Sequence, residues 1–259
     1  MTNLTTLLPT KTTTPRYNVR LTTDSDLIDG TQRLRYAVLA EEGGRTASDL
    51  GLDADRFDEH CVHVLIHDNR SGELVACCRM LPSGGAIAAG GLCTAASFDI
   101  SALEPLRLSL LEFGRAVVRA DHRNGAVVLM MWSAVLEYAY RYGYDHVLGC
   151  VTMPVFGMSG RGRNVMHNVW SHLRRNYRAP DCYTVHPHRP VVIDALCLSD
   201  LAPHRQPELP ALMRGYLRAG ARVCGEPAYD PEFGVACFPT LLSTTEDTYR
   251  PATESALYT

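Results

Sequence analysis

The sequence predicts one domain of mixed α and β structure, in which helices flank a sheet that contains a parallel strand pair. Its 259 residues are 46% apolar, which is enough to bury a sizeable core. Short β-type segments alternate with longer helical patterns, and neither an internal repeat nor an interdomain linker interrupts them. We therefore expect a single α/β domain over residues 16–242, between disordered tails at 1–15 and 243–259.

The N-terminal part of this domain predicts a strand, a helix and a β-hairpin. Residues 16–22 alternate between apolar and polar side chains, as in a half-buried strand. Asp24 or Ser25 can cap the helix that follows. Residues 60–67 and 73–81 are two β-type segments separated by turn-forming residues, which indicates a hairpin.

The middle of the domain predicts the parallel pair. A small-residue loop over 82–91 is followed by an apolar strand at 108–118. A helix over 126–142, which Gly143 should end, leads to a short buried strand at 145–151. A strand–helix–strand order makes the two strands parallel. Because the helix is apolar on nearly all sides, we expect it to be covered on both sides.

The C-terminal part predicts further helices and a closing strand. Its elements, in order, are an amphipathic helix at 164–178, an extended segment at 183–198, a helix at 209–219 and a strand at 233–242.

Two charged residues, Glu112 and Arg115, lie inside the apolar strand at 108–118. Charges are rarely buried without partners. Other charged residues also fall within the predicted framework, namely Arg35, Glu41, Glu42, Asp55, Asp58 and Arg79. They would be costly unless they met one another, so we expect a shared ion-pair network at the mouth of the sheet. Such a network either holds the first helix on the sheet or forms a polar substrate site.

The overall composition excludes several classes of protein. A net charge of −3 gives no general attraction to nucleic acid or to anionic membranes. Nine cysteines without a C-x-x-C pair indicate free thiols in a reducing cytoplasm. Cys61, His63 and His67 share one strand face, but no matching ligand pair supports a metal site, so we predict none. The N-terminus lacks the pattern of a signal peptide, and no apolar run is long enough to span a membrane.

Several segments together resemble a known family. In chain order, motifs similar to those of the acyl-homoserine-lactone synthases are Arg35-Tyr-Ala-Val38 with Glu41-Glu42, Asp55-Arg-Phe-Asp58, Arg79-Met-Leu-Pro82 and Glu112-Phe-Gly-Arg115. The closer resemblance is to their relatives, the ornithine–acyl-ACP N-acyltransferases that begin ornithine-lipid synthesis, whose C-terminal signature is similar to segments 209–220, 223–230 and 233–235. Cys237 departs from that family, which usually has an acid there.

This resemblance implies a GNAT-type acyltransferase fold, with a mostly antiparallel twisted sheet and one splayed parallel strand pair. It also implies an acyl thioester on acyl carrier protein (ACP), or on CoA, as co-substrate, without a permanently bound cofactor. The acceptor would be the amine of an amino acid such as ornithine. The polar site shared with the lactone synthases would comprise Arg35, Asp55, Asp58, Arg79, Glu112 and Arg115, and Thr152 would begin the acyl channel.

The mechanism expected from this resemblance is direct attack of the amine on the thioester, without an acyl-enzyme. An α-amine must lose a proton first, and either Glu112 or Glu42 through a water could accept it. We favour Glu112, because Arg115 would keep it ionised and could hold the acceptor carboxylate. Main-chain N–H groups of Ala116, Val117 and Val118 would polarise the thioester carbonyl.

A polar turn lies between the strand at 108–118 and the following helix. The start of a helix offers free N–H groups to an anion. We therefore expect the phosphopantetheine phosphate to be bound there, although the turn could also simply start the helix. The residues concerned are Arg119, Arg123, Asn124, Gly125 and Ala126.

Two groups of arginines could recruit a partner. The first, Arg161, Arg163, Arg174, Arg175 and Arg178, is either a docking face for the acidic carrier protein or a solvated helix face. The second, Arg214, Arg218 and Arg222, could contact an anionic membrane peripherally. Two other functions stay open. The first is an N-acyltransferase with a different acceptor or a short-chain donor, either autoinducer-synthase-like or a natural-product tailoring enzyme. The second is a non-catalytic module that binds acyl thioesters.

Overall fold

The computed structural model describes residues 15–41, 50–155, 162–193, 196–198 and 207–244. Its α-helices are α1 (Ser25–Glu41), α2 (Ser83–Ala88), α3 (Gly125–Arg141), α4 (Gly162–Asn176) and α5 (Ala211–Arg218). Its strands are β1 (Tyr17–Thr22), β2 (Val62–Asp68), β3 (Leu74–Leu81), β4 (Phe98–Asp99), β5 (Leu110–Val118), β6 (His146–Pro154), β7 (His186–Pro187), β8 (Val192–Ile193), β9 (Leu196–Cys197), β10 (Arg222–Val223), β11 (Ala228–Asp230) and β12 (Val235–Ser243).

Most strands form one mixed sheet in the order β1-β2-β3-β5-β6-β12-β10, with β11 paired to β12. Neighbouring strands are antiparallel except for β5 and β6, which are parallel and are connected through α3. The predicted mixed α/β fold with one parallel pair is therefore confirmed. Two short pairs, β4–β7 and β8–β9, lie outside this sheet.

The parallel pair is splayed, as the resemblance implied. Strands β5 and β6 pair only from Leu110–His146 to Phe113–Gly149. Beyond that point β5 continues along β3 as far as Val118, and β6 continues along β12 as far as Pro154. Because each strand keeps only its outer neighbour, the described part of the sheet opens between residues 114–118 and 150–154.

A β-bulge lies where the two strands part. The register between β3 and β5 shifts between Cys77 and Arg79, opposite Gly114 to Val117. Within this stretch Arg115 has φ +51°, a left-handed conformation that is uncommon for a residue other than glycine. Bulges change the direction of a side chain, and this one directs Arg115 to the face that carries the ion pairs.

The two faces of the sheet are covered differently. Helix α3 contacts β1, β2, β3 and β5 on one face, where Phe113 packs against Trp132 with ring centroids 5.1 Å apart. Helix α1 contacts β3 and β5, and its Val38 packs with Cys77 and Val117 on the other face. Since side chains alternate along a strand, Glu112 lies on the face opposite to Phe113.

Two predictions about elements are wrong. The expected loop at 82–91 contains helix α2, whose Gly85 packs so closely that an added Cβ would lie 2.2 Å from the main-chain oxygen of His60. Helix α3 is not covered on both sides, because Leu129 and Tyr140 remain 67% and 65% exposed. Only the inner face of α3 packs on the sheet, and residues on its outer face are exposed to solvent.

The remaining elements agree with the predictions to within a few residues, including the hairpin of β2 and β3 and helices α4 and α5. Strand β6 ends three residues later than expected, because β12 pairs with it along its whole length. None of the described helices is both long and apolar enough to cross a membrane. The predicted tails stay predictions, since residues 1–14 and 245–259 lie outside the described part.

Candidate active site

Six charged residues meet on the α1 side of the sheet, beside the opening between β5 and β6. They are Arg35 of α1, Asp53, Asp55 and Asp58 of the connection to β2, Arg79 of β3, and Arg115 of β5. Three positive charges thus face three negative charges. The predicted network therefore forms among Arg35, Asp55, Asp58, Arg79 and Arg115, with Asp53 as a further member, but the ion pairs of the described residues do not include Glu41 or Glu112.

Asp58 is the centre of this network. Its carboxylate accepts hydrogen bonds from Arg35 at 2.7 and 3.0 Å, from Arg79 at 2.6 Å and from Gln32 at 3.0 Å. Burial alone would raise the pKa of Asp58, but the hydrogen bonds and charges of Arg35 and Arg79 outweigh it and hold the pKa far below its usual range. Asp58 therefore stays ionised and ties α1 to β3.

The outer part of the network is more accessible. Arg79 holds Asp55 by two hydrogen bonds of 2.6 and 2.8 Å. Arg115 makes longer contacts, 3.3 Å to Asp55 and 3.6 Å to Asp53. The side chains of Arg115 and Asp55 are 32% and 26% exposed, whereas those of Arg35, Asp53, Asp58 and Arg79 are at most 4% exposed. Arg115 and Asp55 are thus the pair that a ligand can reach.

Glu112 is buried beside this network, but Arg115 is not its partner. Its Oε2 accepts a hydrogen bond from the main-chain N–H of Cys93 at 2.6 Å. Its Oε1 accepts one from the N–H of Thr94 at 2.7 Å and another from the Thr94 hydroxyl at 2.5 Å. Arg115 pairs with Asp53 and Asp55 instead, because the bulge directs it to the aspartates.

Cys93 and Thr94, the partners of Glu112, were not predicted from the sequence as site residues. Both begin a 3₁₀ turn, Cys93–Ala96, that follows α2. Besides its N–H contact with Glu112, Cys93 accepts a hydrogen bond at Sγ from Arg79 at 3.5 Å, so it connects Glu112 to the network. The only signal in the sequence is a threonine among small apolar residues, which is too common to indicate a site.

Other predicted site residues fall in three groups. Glu42 lies outside the described residues, and Glu41 is exposed at the end of α1. Thr152 lies on β6 beside the opening, with its side chain exposed. On the other side of the same opening lie Ala116, Val117 and Val118 of β5. Along the edge of β5 that faces the opening, the described residues provide no strand that pairs with these three. Their predicted contact with the thioester stays a prediction.

The predicted phosphate site at the start of α3 already has protein partners. Asn124 caps the helix by accepting hydrogen bonds from the N–H groups of Ala126 and Val127, each at 3.1 Å. Arg119 pairs with Asp121 at 3.0 Å and with Glu73 at 3.1 Å, and Arg123 donates to the main-chain oxygen of Val118 at 3.0 Å. The N–H of Ala126 thus already has a partner, and phosphate binding by this turn stays a prediction.

The cysteines near the site are poor nucleophiles. Burial raises the pKa of Cys61 and of Cys77 to about 12, and it raises those of Cys93 and Cys150 further. Because the thiolate is the reactive form, these four side chains are protonated and unreactive near neutral pH.

Comparisons with known proteins identify the fold. Residues 34–133 match the family model of the acetyltransferase (GNAT) domain. Among solved structures, the N-acyl amino acid synthase FeeM from uncultured soil microbes is similar with a TM-score of 0.52 and 13% identity, covering 90% of this chain and 93% of that one. The acyl-homoserine-lactone (AHL) synthase LasI is similar with a TM-score of 0.50 and 12% identity, covering 90% and 92%. At such low identity, these structures show the fold alone.

Curated relatives identify the family. The L-ornithine N(alpha)-acyltransferase of Rhodobacter capsulatus is 30% identical over 239 residues, covering 88% of this chain and 90% of the relative. The enzyme of the same name from Brucella abortus is 30% identical over 233 residues, covering 83% and 80%. The similarity thus covers most of this chain and of each relative. The chain belongs to the L-ornithine N(alpha)-acyltransferase family and is an N-acyltransferase of the GNAT fold.

Proposed function

We propose that this enzyme transfers an acyl group from an acyl-ACP thioester to the α-amine of L-ornithine. The observation that carries the proposal is the accessible Arg115–Asp55 pair beside Glu112, at the opening between the parallel strands. Its relatives are named for ornithine acylation, which supports this acceptor. Acyl-CoA remains an alternative donor, because both carriers present the same thioester.

The accessible pair suits the charges of ornithine. Ornithine brings a carboxylate and a side-chain ammonium group in addition to its α-amine. Arg115 can present two parallel N–H groups to the carboxylate, while Asp55 can receive the side-chain ammonium. The existing contact of 3.3 Å would then be replaced by two new ion pairs. This exchange keeps the network balanced in charge, so an amino acid with a basic side chain fits better than a neutral one.

Glu112 is the proposed proton acceptor. An α-amine is mostly protonated near neutral pH and cannot attack a thioester in that form. Glu112 lies one residue before Phe113, where the pairing of β5 with β6 ends, so it stands at the base of the opening. Glu42 acting through a water stays the alternative acceptor. The proton would pass from the ammonium group to the carboxylate first, and the freed lone pair of the nitrogen would then attack the carbonyl carbon. The second proton that the nitrogen loses would go to the leaving thiolate.

The thioester would lie between the splayed strands. Main-chain N–H groups among Ala116 to Val118, those that point to the edge of β5 at the opening, would bind the developing oxyanion. Removing one such donor typically lowers the rate about 100- to 1,000-fold. Collapse of the tetrahedral intermediate would release the carrier thiol and leave an amide. The raised pKa values of the neighbouring thiols support direct transfer rather than an acyl-cysteine.

The carrier protein would dock on one basic surface that joins both arginine groups. The backbone of Arg178, which follows α4, forms an isolated β-bridge with Val223, and Val223 is the residue after Arg222. Arg174, Arg175, Arg178, Arg214, Arg218 and Arg222 are all exposed. Asp181 pairs with Arg178 at 2.7 Å and offsets one of these charges. An acidic carrier protein complements such a surface. As part of the same proposal, the enzyme is cytoplasmic and contacts the inner face of the membrane, where its lipid product leaves.

The test offers purified protein a long-chain acyl-ACP and an acyl-CoA, each with a panel of amino acids, and follows release of the thiol. We expect release that depends on L-ornithine and is faster from acyl-ACP. Preference for another acceptor or a short-chain donor would favour an autoinducer-synthase-like or tailoring enzyme instead. Release without acceptor dependence would indicate hydrolysis, and no release from any donor would favour a thioester-binding module.

A further inference from the structure

The carboxylate of Glu112 has an unequal set of partners. A carboxylate offers about four acceptor sites, two on each oxygen. Among the described residues, Oε1 receives two donors, the N–H and the hydroxyl of Thr94, whereas Oε2 receives one, the N–H of Cys93. The two residues belong to a single turn, and Thr94 itself is only 6% exposed. One site on Oε2 is therefore left over.

We propose that Thr94 is a positioning residue for the acyl transfer, whose hydroxyl saturates Oε1 of Glu112 and so makes Oε2 the oxygen that accepts the amine proton. This inference rests on the proposed role of Glu112. The main-chain N–H groups of the turn hold one carboxylate oxygen each, and the hydroxyl adds a second donor to Oε1 alone. Without the hydroxyl, each oxygen would have one donor, and the preference for Oε2 as the proton acceptor would be lost.

The same turn relates Glu112 to the substrate site. Cys93 contacts Glu112 through its N–H and Arg79 through its sulfur, and Arg79 in turn holds Asp55. The proton acceptor and the proposed ammonium site are thus connected through two residues, Cys93 and Arg79. Because the hydroxyl acts on the proton transfer and contacts no predicted substrate position, its loss should affect turnover and not binding.

The test compares Thr94→Val with Thr94→Ser in the full-length enzyme. Valine keeps the branched shape and both main-chain donors but lacks the hydroxyl, whereas serine keeps the hydroxyl. We expect Thr94→Val to lower kcat about 10- to 100-fold, as a small misplacement of a catalytic group does, with unchanged KM for ornithine and for acyl-ACP. Thr94→Ser should restore most of the turnover.

Thr22→Val is the matched control. Thr22 is also buried, at 9% exposure, and its hydroxyl accepts a hydrogen bond from the N–H of Asp24 at 3.0 Å, far along the chain from Glu112. This change should lower Tm without changing kcat. If Thr94→Val does not fold, Thr94→Ala provides the same loss of the hydroxyl with less crowding.

Equal kcat values for the wild type and for Thr94→Val would overturn the proposal, as would a loss that serine does not rescue. A crystal structure of Thr94→Val gives an answer independent of activity, because Oε1 of Glu112 should then keep a single donor. Another donor in place of the hydroxyl at Oε1, together with a lowered kcat, would count against the positioning role. A wild type that transfers no acyl group to any amine would contradict the proposed function instead.

Discussion

At the scale of single residues, the two charged side chains of β5, Glu112 and Arg115, have different partners and different proposed roles. Glu112 and Arg115 are three positions apart on β5, yet Glu112 is held by main-chain donors and Arg115 by aspartates. The sequence was enough to predict that the buried charges meet, because unpaired charges in a core are too costly. It was not enough to predict the partners of Glu112, because the turn at Cys93 carries no recognisable motif.

Replacing Glu112 by Gln tests its role in proton transfer. Glutamine keeps the shape but cannot accept a proton, so kcat should fall about 100-fold or more if Glu112 is the general base. The fold should persist, as judged by circular dichroism and Tm. Glu104→Gln is the control, since Glu104 is 68% exposed and pairs only with Arg107 on the surface. Turnover like that of the wild type would remove Glu112 from the mechanism and leave Glu42 as the candidate.

Replacing Asp58 by Asn tests the centre of the network. The change leaves Arg35 and Arg79 buried with too little negative charge, which should lower the free energy of unfolding by about 3–5 kcal/mol. Asp29→Asn is the control, because the Asp29–Arg33 pair is exposed, and such helix pairs contribute about 0.3–0.5 kcal/mol. Urea denaturation measures both, and equal losses would contradict a central role.

Acid should weaken the wild type for the same reason. The pKa values of Asp58 and Asp55 are lower in the folded protein than in the unfolded chain, where an aspartate titrates near about 3.9. The stabilisation is therefore complete above that pH and is lost as the pH falls towards the folded values. Unfolding measured from pH 6 to pH 2 should show a steeper loss in the wild type than in Asp58→Asn.

At the scale of elements, the hydrophobic periodicity predicted the strands and long helices, whereas helix α2 was missed. Its sequence, Ser-Gly-Gly-Ala-Ile-Ala, contains two glycines, which are poor helix formers. Tertiary contact decides its conformation, because Gly85 packs against the main chain of His60. The bulge at Arg115 was missed too, since the shift in register depends on pairing with β3. Both elements shape the site, and neither has a local sequence signal.

Two neighbouring glycines of α2 give a matched test of that contact. Gly85→Ala would place its Cβ 2.2 Å from the oxygen of His60, whereas Gly84→Ala has nothing within 4 Å. We expect Gly85→Ala to destabilise the protein by about 1–3 kcal/mol, as overpacking does. Gly84→Ala should be neutral or stabilise it by up to about 1 kcal/mol through helix propensity. Equal unfolding free energies for the two variants would contradict the packing of α2.

At the scale of the whole molecule, the strand–helix–strand order predicted that β5 and β6 are parallel. It did not predict that β12 and β10 extend the sheet beyond β6, because pairing between distant segments leaves no local pattern. That pairing also places Arg178 beside the strand that carries Arg222. Arg178 of the first arginine group and Arg222 of the second, which are far apart in sequence, are thus brought near each other only in the folded chain.

Charge reversal on this surface tests the docking of the carrier protein. Arg174→Glu with Arg175→Glu should raise the KM for acyl-ACP about 10-fold or more, because steering by complementary charge is lost. The KM for an acyl-CoA should stay the same, and the effect should shrink at high salt. The control reverses two exposed arginines elsewhere, Arg33 and Arg107, with the same change in net charge. Equal effects on both donors would exclude this surface as the docking site.

The central claim is that the site acylates the α-amine of ornithine and uses the side-chain amine for recognition. The most direct measurement offers acyl-ACP with Nδ-acetylornithine or with Nα-acetylornithine, and identifies the products by fragmentation in a mass spectrometer. We expect L-ornithine to be acylated at Nα. The Nδ-blocked compound should be a weaker acceptor, because its side-chain ammonium group is lost, and the Nα-blocked compound should not be acylated. Acylation of Nα-acetylornithine at its side-chain amine would contradict the account.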